Sequence, residues 1–170
     1  IPLWGRETLR DTLLSCTFEM SPAAFYQVNR DGAEILYREV IARADIHGGE
    51  IVADLFCGIG TIGLCLAKNA PVGKLIGVEV IPEAVENAKR NAALNGIENA
   101  EFFCGDANHP SLRQADLVIV DPPRKGCDEK CLETIVKMAP DRVVYVSCNP
   151  STLARDLKYF CSNGYAVEKI

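Results

Sequence analysis

The chain has 170 residues, of which 48% are hydrophobic and 24% are charged, and its formal net charge is −5. This composition is typical of one globular domain and argues against a disordered or fibrous protein. Since no run of about 18 apolar residues occurs, no membrane span is expected, and an acidic chain does not attract a phosphate backbone through its net charge.

The predicted elements begin with an N-terminal segment that lacks a regular helical or strand pattern. Residues 1–28 are predicted to be irregular or extended, with a break at Ser21 and Pro22. Asn29 is placed to cap a helix that runs to about Ala44. The strand patterns that follow are 51–56, 75–80, 101–104, 117–120, 143–146 and 165–170, and the helical patterns are 61–69, 82–95, 128–139 and 150–161.

This alternation of strands and helices predicts an α/β fold. The strands are continuous apolar runs, which is typical of strands that are covered on both faces. We therefore expect a doubly wound, mainly parallel sheet with helices on both faces and right-handed crossovers. The chain is divided into an N-terminal segment, 1–28, and the sheet domain, 29–170.

The eight cysteines favour free thiols over disulfides. The chain is long enough to build a core without cross-links, and its cysteines are scattered through apolar runs, so we expect a reducing, cytoplasmic environment. Cys127 and Cys131 have three residues between them, a C-x3-C spacing, with no second pair and no nearby His. No metal site is predicted.

The residue types that carry chemistry follow the predicted strands, and open parallel sheets bind ligands at the carboxyl ends of their strands. Residues 54–61 read Asp-Leu-Phe-Cys-Gly-Ile-Gly-Thr. Two glycines before a helix let the backbone approach a ligand closely, and the helix start offers free N–H groups. A tight turn that binds nothing is the alternative.

The next two strand ends carry acids. Glu79 lies about 20 residues after the glycine segment, where a carboxylate can accept hydrogen bonds from both hydroxyls of a ribose. Asp106 follows Gly105 at the end of the third strand, where it could meet an adenine amino group. These residues predict a nucleoside site, which leaves a dinucleotide and S-adenosylmethionine open as the cofactor.

The last two sites follow the fourth and fifth strands. Residues 121–124 read Asp-Pro-Pro-Arg, a stiff loop that fixes the carboxylate and the Arg with little entropy left to lose. Cys148 stands just before a helix, whose positive end favours the thiolate. A buried, inert thiol is the usual state of a free Cys. Because Cys148 shares a crevice with Asp121, the sequence favours a nucleophile instead.

Four segments, in this order, resemble motifs of the RNA uracil-C5 methyltransferases, which use S-adenosylmethionine. Residues 25–29, Phe-Tyr-Gln-Val-Asn, resemble the family's F-F-Q-V-N segment, with Tyr26 in place of the second Phe. Residues 54–60 resemble its D-x-x-C-G-x-G loop, 121–124 its D-P-P-R and 147–150 its S-C-N-P. The resemblance covers nearly the whole chain.

Within the family, residues 121–126 and 147–157 are closer to bacterial 23S ribosomal RNA enzymes than to the transfer RNA branch. From another class, a nicotinamide-dependent oxidoreductase would account for the glycines and Glu79, but it leaves the Asp-Pro-Pro loop and Cys148 unexplained. A non-catalytic RNA-binding module would need an aromatic and basic surface tract. An amino-group methyltransferase would carry an aromatic residue where Arg124 stands.

The resemblance implies a Rossmann-like methyltransferase that acts on C5 of a uridine in RNA. Cys148 would add to C6 of the base and make C5 nucleophilic, and the base would be flipped out of its stack. By the same resemblance, Asp121, Arg124 and Asn149 would bind the uracil, and Gln27 would lie between the base and the cofactor.

The resemblance also implies the cofactor contacts. The backbone around Cys57, Gly58 and Gly60 would hold the methionine part of S-adenosylmethionine, Glu79 its ribose and Asp106 its adenine. The full set of cofactor-binding candidates is Gln27, Asp54, Phe56, Cys57, Gly58, Gly60, Thr61, Glu79, Asp106 and Asp121.

Parts of the family's architecture lie outside the sequence that ends at Ile170. They are the general-base Glu after the final strand, an N-terminal RNA-binding barrel and a central domain, and we expect the sheet to lack its closing strand. These residues alone should bind cofactor and turn over poorly. The expected partner is RNA, with 23S ribosomal RNA favoured and transfer RNA possible; no DNA, no membrane and a monomer are expected. The cysteines are not spaced for an iron–sulfur cluster.

Overall fold

The computed structural model describes residues 8–21, 25–27 and 29–170. Strands β1 (Leu9–Leu13) and β2 (Cys16–Met20) form an antiparallel hairpin in which Leu13 lies opposite Cys16. The interpretation of residues 1–28 as irregular or extended did not foresee this hairpin. Its turn is Leu14-Ser15, with φ angles of 46° and 67°, whereas Asn-Gly or another Gly-containing pair is the usual signal for such a turn.

The rest of the described chain alternates helices and strands, as predicted. The elements are α1 (Arg30–Ala44), β3 (Ile51–Leu55), α2 (Thr61–Asn69), β4 (Lys74–Glu79), α3 (Pro82–Leu94), β5 (Ala100–Cys104), β6 (Leu117–Val120), α4 (Glu129–Met138), β7 (Arg142–Tyr145) and α5 (Pro150–Ser162).

Side-chain caps fix where several helices begin. Asn29 caps α1 by accepting a hydrogen bond from the Gly32 N–H at 3.1 Å. Asp128 caps α4 in the same way, because its carboxylate accepts from the Cys131 N–H at 2.8 Å. These bonds satisfy backbone donors that the first turn of a helix leaves free.

Strands β3 to β7 form a parallel sheet of five strands in the order β5-β4-β3-β6-β7. The chain winds outward from β3 in one direction and then crosses to β6 on its other side, so the switch point lies between β3 and β6. The predicted doubly wound α/β fold is confirmed.

Two apolar cores cover the two faces of the sheet. Helices α1, α2 and α3 and the hairpin pack on one face, where Phe18 and Leu64 are fully buried. Helices α4 and α5 pack on the other face around Ile135 and Phe160. All four residues of β6 are fully buried between the two cores. Within the described ranges, no helix combines the length and apolarity needed to cross a membrane.

The predicted strand at 165–170 is wrong, since these residues form no strand. Tyr165 folds back instead: its ring packs edge-on against Phe160, with centroids 5.7 Å apart, and its hydroxyl donates to the Pro140 carbonyl at 3.1 Å. Val167 and Ile170 are exposed. Alternation alone does not make a strand, because a strand also needs a partner for its backbone groups, and 166–170 meet none in the described chain.

Candidate cofactor and catalytic site

The carboxyl ends of β3, β6 and β7 meet at one edge of the sheet. Leu55 lies opposite Val120, and Val120 lies opposite Tyr145. The register continues past the strands, because the Asp121 N–H donates to the Leu55 carbonyl at 3.4 Å and the Val146 N–H donates to the Val120 carbonyl at 2.8 Å. The glycine segment, Asp121 and the segment that carries Cys148 therefore leave the sheet side by side.

A cleft opens at this edge. Its lining contains most of the predicted cofactor residues together with a part of the N-terminal segment. The lining residues are Phe25, Tyr26, Gln27, Tyr37, Asp54, Phe56, Cys57, Gly58, Ile59, Thr61, Ile62 and Asp121. Gln27 and Asp121, which are far apart in the sequence, thus share one cleft. Val28 and Pro22, which belong to the predicted motif and break, lie outside the described residues.

The glycine loop that forms one wall of the cleft, residues 56–60, has unusual backbone geometry. Phe56, Gly58 and Gly60 have φ angles of 62°, 55° and 84°, and the Gly60 N–H closes the loop on the Cys57 carbonyl at 2.8 Å. A Cβ at Gly60 would lie 3.0 Å from Leu64 Cδ1 and 3.2 Å from the Phe102 ring. The left-handed conformation therefore favours glycine at this position, and a Cβ there would displace Leu64 or Phe102 slightly.

Asp54 is buried beneath the loop with one oxygen unsatisfied. Its Oδ2 accepts from the Gly63 N–H at 3.0 Å, while its Oδ1 has no hydrogen-bond partner in the described structure. Burial raises the pKa of Asp54 to about 7, and the nearby charges of Asp121 and Glu79 add to this rise. Because Asp54 lines the cleft, a donor group of a ligand could satisfy its free oxygen.

Glu79 is held at the end of β4 by backbone donors. Its Oε2 accepts from the Gly58 N–H at 3.1 Å and its Oε1 from the Ile81 N–H at 3.0 Å. The carboxylate is therefore fixed against the glycine loop, and its remaining lone pairs are free to accept from hydroxyl groups. Asp106 is exposed, and its Oδ1 accepts from the Asn108 N–H at 2.9 Å, as in an ordinary Asx turn.

Asp121 and Tyr37 stand together on the wall that α1 and β6 supply. Desolvation raises the pKa of the Asp121 carboxyl to about 6. Tyr37 is 2% exposed, its hydroxyl donates to Thr61 Oγ1 at 3.1 Å, and burial raises its pKa to about 12. Sequence reasoning missed Tyr37 as a site residue. It falls on the apolar stripe of α1, where the sequence pattern cannot distinguish a site Tyr from a Tyr that only packs in the core.

The segment that precedes α5 places Cys148 and Asn149 beside the Asp-Pro-Pro-Arg loop. Cys148 is exposed on the bend before the helix. The Asn149 side chain caps α5 by accepting from the Ser151 N–H at 3.1 Å, and its Nδ2 donates to the Arg124 carbonyl at 3.2 Å. Both polar atoms of Asn149 thus bind backbone, which indicates that it holds the loop. The Arg124 side chain is exposed.

A family model described as a methyltransferase domain matches residues 46–168. The chain belongs to this methyltransferase family. It is 48% identical over 174 residues to an uncharacterized RNA methyltransferase of Halalkalibacterium halodurans and 48% identical over 174 residues to another of Listeria monocytogenes, with 99% of this chain and 38% of each relative covered. The chain therefore spans well under half the length of these curated relatives.

The fold of the chain also superposes on solved structures. The tRNA (uracil-54, C5)-methyltransferase of Pyrococcus abyssi, in complex with S-adenosyl-L-homocysteine, superposes with a TM-score of 0.80 at 35% identity, over 92% of this chain and 38% of that one. TYW2 of M. jannaschii, in complex with AdoMet, gives 0.71 at 23% identity, over 98% of this chain and 78% of that one, which shows the fold alone.

One buried acid of the methyltransferase domain escaped the sequence analysis. Asp156 has no exposed surface, and its Oδ2 accepts from the Tyr145 hydroxyl at 2.6 Å and the Cys127 N–H at 2.9 Å. Arg155 donates to Asp156 Oδ1 at 2.8 Å and to the Lys125 carbonyl at 3.1 Å. This network pins residues 121–127 onto α5. An acid four residues before the buried Phe160 was the available signal, since it falls on the apolar face of the helix.

The cysteines of the methyltransferase domain are all free, as predicted. Cys16 and Cys65 lie together in one core, and Cys127 and Cys131 lie together in the other. Across residues 8–21, 25–27 and 29–170, no group of three or more His, Cys, Asp or Glu side chains is arranged to hold a metal ion.

Proposed function

We propose that this methyltransferase domain transfers a methyl group from S-adenosylmethionine to C5 of a uridine in RNA. The observation that carries the proposal is the meeting, at one sheet edge, of the cofactor cleft, Asp121 and the exposed Cys148. The tRNA (uracil-54, C5)-methyltransferase that superposes on the chain at 35% identity supports it. The family match favours this reaction over the nicotinamide-dependent oxidoreductase.

S-adenosylmethionine is the cofactor, in agreement with the methyltransferase family and with the S-adenosyl-L-homocysteine complex of the Pyrococcus abyssi enzyme. The residues of the cleft fit it. Asp54 Oδ1 is buried without a partner and can accept from its amino group. Glu79 is oriented by two backbone donors, so it can accept from ribose hydroxyls. Gly58 has open space where a side chain would stand. When bound, the cofactor supplies an electrophilic methyl group.

The residues that follow β6 and β7 would act on the base. In the proposed reaction the Cys148 thiolate forms a bond to C6, and the electrons of the C5–C6 double bond move toward the C4 carbonyl, which makes C5 nucleophilic. After C5 has received the methyl group, a base removes the C5 proton and the Sγ–C6 bond breaks, which restores the double bond and the thiolate. Asp121 and Arg124 would bind the polar edge of the uracil, and the Arg124–Asn149 hydrogen bond would keep that loop beside Cys148.

For the RNA, we favour 23S ribosomal RNA, because residues 121–126 and 147–157 resemble that branch of the uracil-C5 enzymes. Transfer RNA is the second candidate, and the superposition with the tRNA-specific enzyme of Pyrococcus abyssi supports it. In both cases the target base must leave its stack to reach the cleft.

The proposed reaction is tested with the intact protein, labelled S-adenosylmethionine and transcripts of 23S ribosomal RNA and transfer RNA. We expect label in 5-methyluridine after nuclease digestion, from one of the two transcripts. Cys148→Ala should abolish the label, because no thiolate adds to C6, while the Kd for S-adenosyl-L-homocysteine stays within about twofold.

Cys161→Ala is the matched control, since Cys161 is also an exposed thiol associated with α5 but lies at the far end of that helix. It should retain full activity. RNA that carries 5-fluorouridine should form a covalent complex with the wild-type protein and with Cys161→Ala, but not with Cys148→Ala. Methylation by Cys148→Ala, or label on a different atom of the base, would contradict the proposal.

A further inference from the structure

Two asparagines of α3, Asn87 and Asn91, and its C-cap residue Asn95 follow one another at four-residue intervals and contact the N-terminal hairpin or the residue after it. Asn87 and Asn91 are fully buried. A buried amide group that lacks partners is costly, so the position of each amide is set by the groups that it binds.

Two of the three side chains bind the outward backbone edge of β2. Asn95 Oδ1 accepts from the Thr17 N–H at 2.8 Å and its Nδ2 donates to the Thr17 carbonyl at 2.7 Å. Asn91 Oδ1 accepts from the Glu19 N–H at 2.8 Å. Asn87 Nδ2 donates to Ser21 Oγ, just beyond β2, at 3.2 Å. Three backbone groups of β2 that point away from β1 are thus bound by Asn91 and Asn95.

Asn91 differs from the other two because it also binds the glycine loop, which lines the cleft. Its Nδ2 donates to the Ile59 carbonyl at 3.1 Å. Ile59 stands between Gly58 and Gly60 in the glycine loop and is 1% exposed. One buried side chain therefore joins the hairpin to the loop that lines the cleft.

The hairpin in turn holds a second wall of the cleft. The Tyr26 hydroxyl donates to Asp11 Oδ2 at 3.0 Å, which ties residues 25–27 to β1. Tyr26 and Gln27 line the cleft together with the glycine loop. Both walls are therefore positioned relative to Asn91, whereas Asn95 contacts the hairpin and α3 but not the loop.

We infer that Asn91 is a positioning residue for the cofactor: through Ile59 and Glu19 it keeps the two walls of the cleft at the separation that S-adenosylmethionine requires. Asn95 serves only to attach the hairpin. The inference rests on the cofactor of the proposed function and is independent of the base and the RNA on which the enzyme acts.

The test compares Asn91→Asp with Asn95→Asp in the intact protein. Each variant keeps an acceptor for the β2 N–H and loses the Nδ2 donor, but only Asn91→Asp loses the bond to Ile59. The Kd for S-adenosyl-L-homocysteine is measured by calorimetry and the Tm by thermal unfolding. We expect both variants to lower the Tm. The Kd should rise about tenfold, equivalent to ~1.4 kcal/mol, in Asn91→Asp and stay within about twofold in Asn95→Asp.

An unchanged Kd in Asn91→Asp, or an equal rise in both variants, would overturn the inference. A wild-type protein that bound neither S-adenosylmethionine nor S-adenosyl-L-homocysteine would overturn the cofactor assignment, and the inference with it. The two failures are therefore distinguishable.

A measurement on the wild-type protein keeps the inference testable if Asn91→Asp does not fold. Amide hydrogen exchange is followed residue by residue with and without S-adenosyl-L-homocysteine. The ligand would rigidify the glycine loop, to which Asn91 is bonded. Amide exchange of Glu19, whose N–H donates to Asn91, should therefore slow more than amide exchange of Thr17, whose N–H donates to Asn95. Equal slowing of the two amides would overturn the inference.

Discussion

The site has two halves that are built differently. In the cofactor half, at the ends of β3 and β4, the acids are fixed by backbone N–H groups: Gly63 binds Asp54, and Gly58 and Ile81 bind Glu79. In the substrate half, at the ends of β6 and β7, a side-chain network around the buried Asp156 fixes the loop, while Cys148 stays exposed.

Under the proposed function, this difference would let one sheet edge serve a small molecule and a macromolecule. A small cofactor is enclosed by the protein, so its half is preorganised by the chain itself. The thiol of the other half has to remain accessible, since a nucleotide base would come to it from outside. We therefore expect substitutions in the two halves to separate cofactor affinity from the stability of the catalytic loop.

The largest effect is expected from Asp156→Ala in the substrate half. The change leaves the Tyr145 hydroxyl and the Cys127 N–H without their acceptor, and each unsatisfied group costs about 1–3 kcal/mol. The Arg155 side chain, which is 56% exposed, adds little, because it keeps solvent and the Lys125 and Cys127 carbonyls as partners. Chemical denaturation should show this loss in the free energy of unfolding. Glu133→Ala, which removes an exposed ion pair with Lys137 on α4, is the control and should cost about 0.5 kcal/mol or less.

The cofactor affinity of Asp156→Ala tests whether the two halves of the site are independent. If the halves are independent, the Kd for S-adenosyl-L-homocysteine, measured below the melting range, should stay within about twofold of the wild-type value. A large loss of cofactor affinity in this variant would mean that the two halves are one unit.

A smaller effect is expected from Gly60→Ala in the cofactor half. The positive φ of Gly60 costs an alanine about 1–2 kcal/mol, and its Cβ would press on Leu64 and Phe102. Since this displaces the loop, the Kd for S-adenosyl-L-homocysteine should rise about tenfold, or ~1.4 kcal/mol.

Gly96→Ala is the control for backbone strain, because it introduces a similar strain at a residue outside the glycine loop. Gly96 also has a positive φ, of 66°, but a Cβ there would meet no atom within 4 Å, and the residue lies at the end of α3. Its substitution should lower the Tm and leave the Kd unchanged. If Gly96→Ala weakened cofactor binding as much as Gly60→Ala, general destabilisation would be the cause.

The smallest effect is the pH dependence of cofactor binding. The pKa of Asp54 is about 7, and the ionised form is the one that attracts the positively charged cofactor. Between pH 8 and pH 6.5 the ionised fraction falls about fourfold, so the Kd should rise about fourfold. Calorimetry at the two pH values measures this, with Asp54→Asn as the control that should remove the dependence. A Kd that is flat with pH would contradict the assignment of Asp54.

The same group acts on stability with the opposite sign. Because its folded-state pKa lies above its ordinary value of 3.8, the folded protein binds more protons than the unfolded chain between these two values. The contribution of Asp54 to stability is therefore present at low pH and is lost as the pH rises toward 7. Bound cofactor should offset this loss.

Local patterns predicted most of the fold. The cap at Asn29 was predicted and is confirmed, and the predicted helices 128–139 and 150–161 begin within one residue of α4 and α5. The parallel sheet was predicted from apolar runs between glycine-rich or proline-rich turns, whereas its strand order and switch point were not predicted. The hairpin was missed because Leu14-Ser15 carries no turn signal.

The candidate site was predictable only where a motif marks it. The glycine loop, Glu79, Asp121 and Cys148 stand at strand ends, and the topology alone brings those ends together. Asn91 and Asp156 were not predicted, because what makes them important is a distant partner. Glu19 is 72 residues from Asn91, and Cys127 is 29 residues from Asp156. Spacing along the helix could have indicated that Asp156 faces the core, but it does not identify the distant partner of either residue.

The asparagines of α3 also affect how the chain folds during synthesis. The hairpin leaves the ribosome before α3, and Asn91, which binds Glu19, follows 72 residues later, a delay of roughly 4–14 s at ~5–20 residues per second. Until then the outward edge of β2 is an unpaired strand edge of the kind that recruits other chains. Closing this long-range contact should come late and slowly in folding.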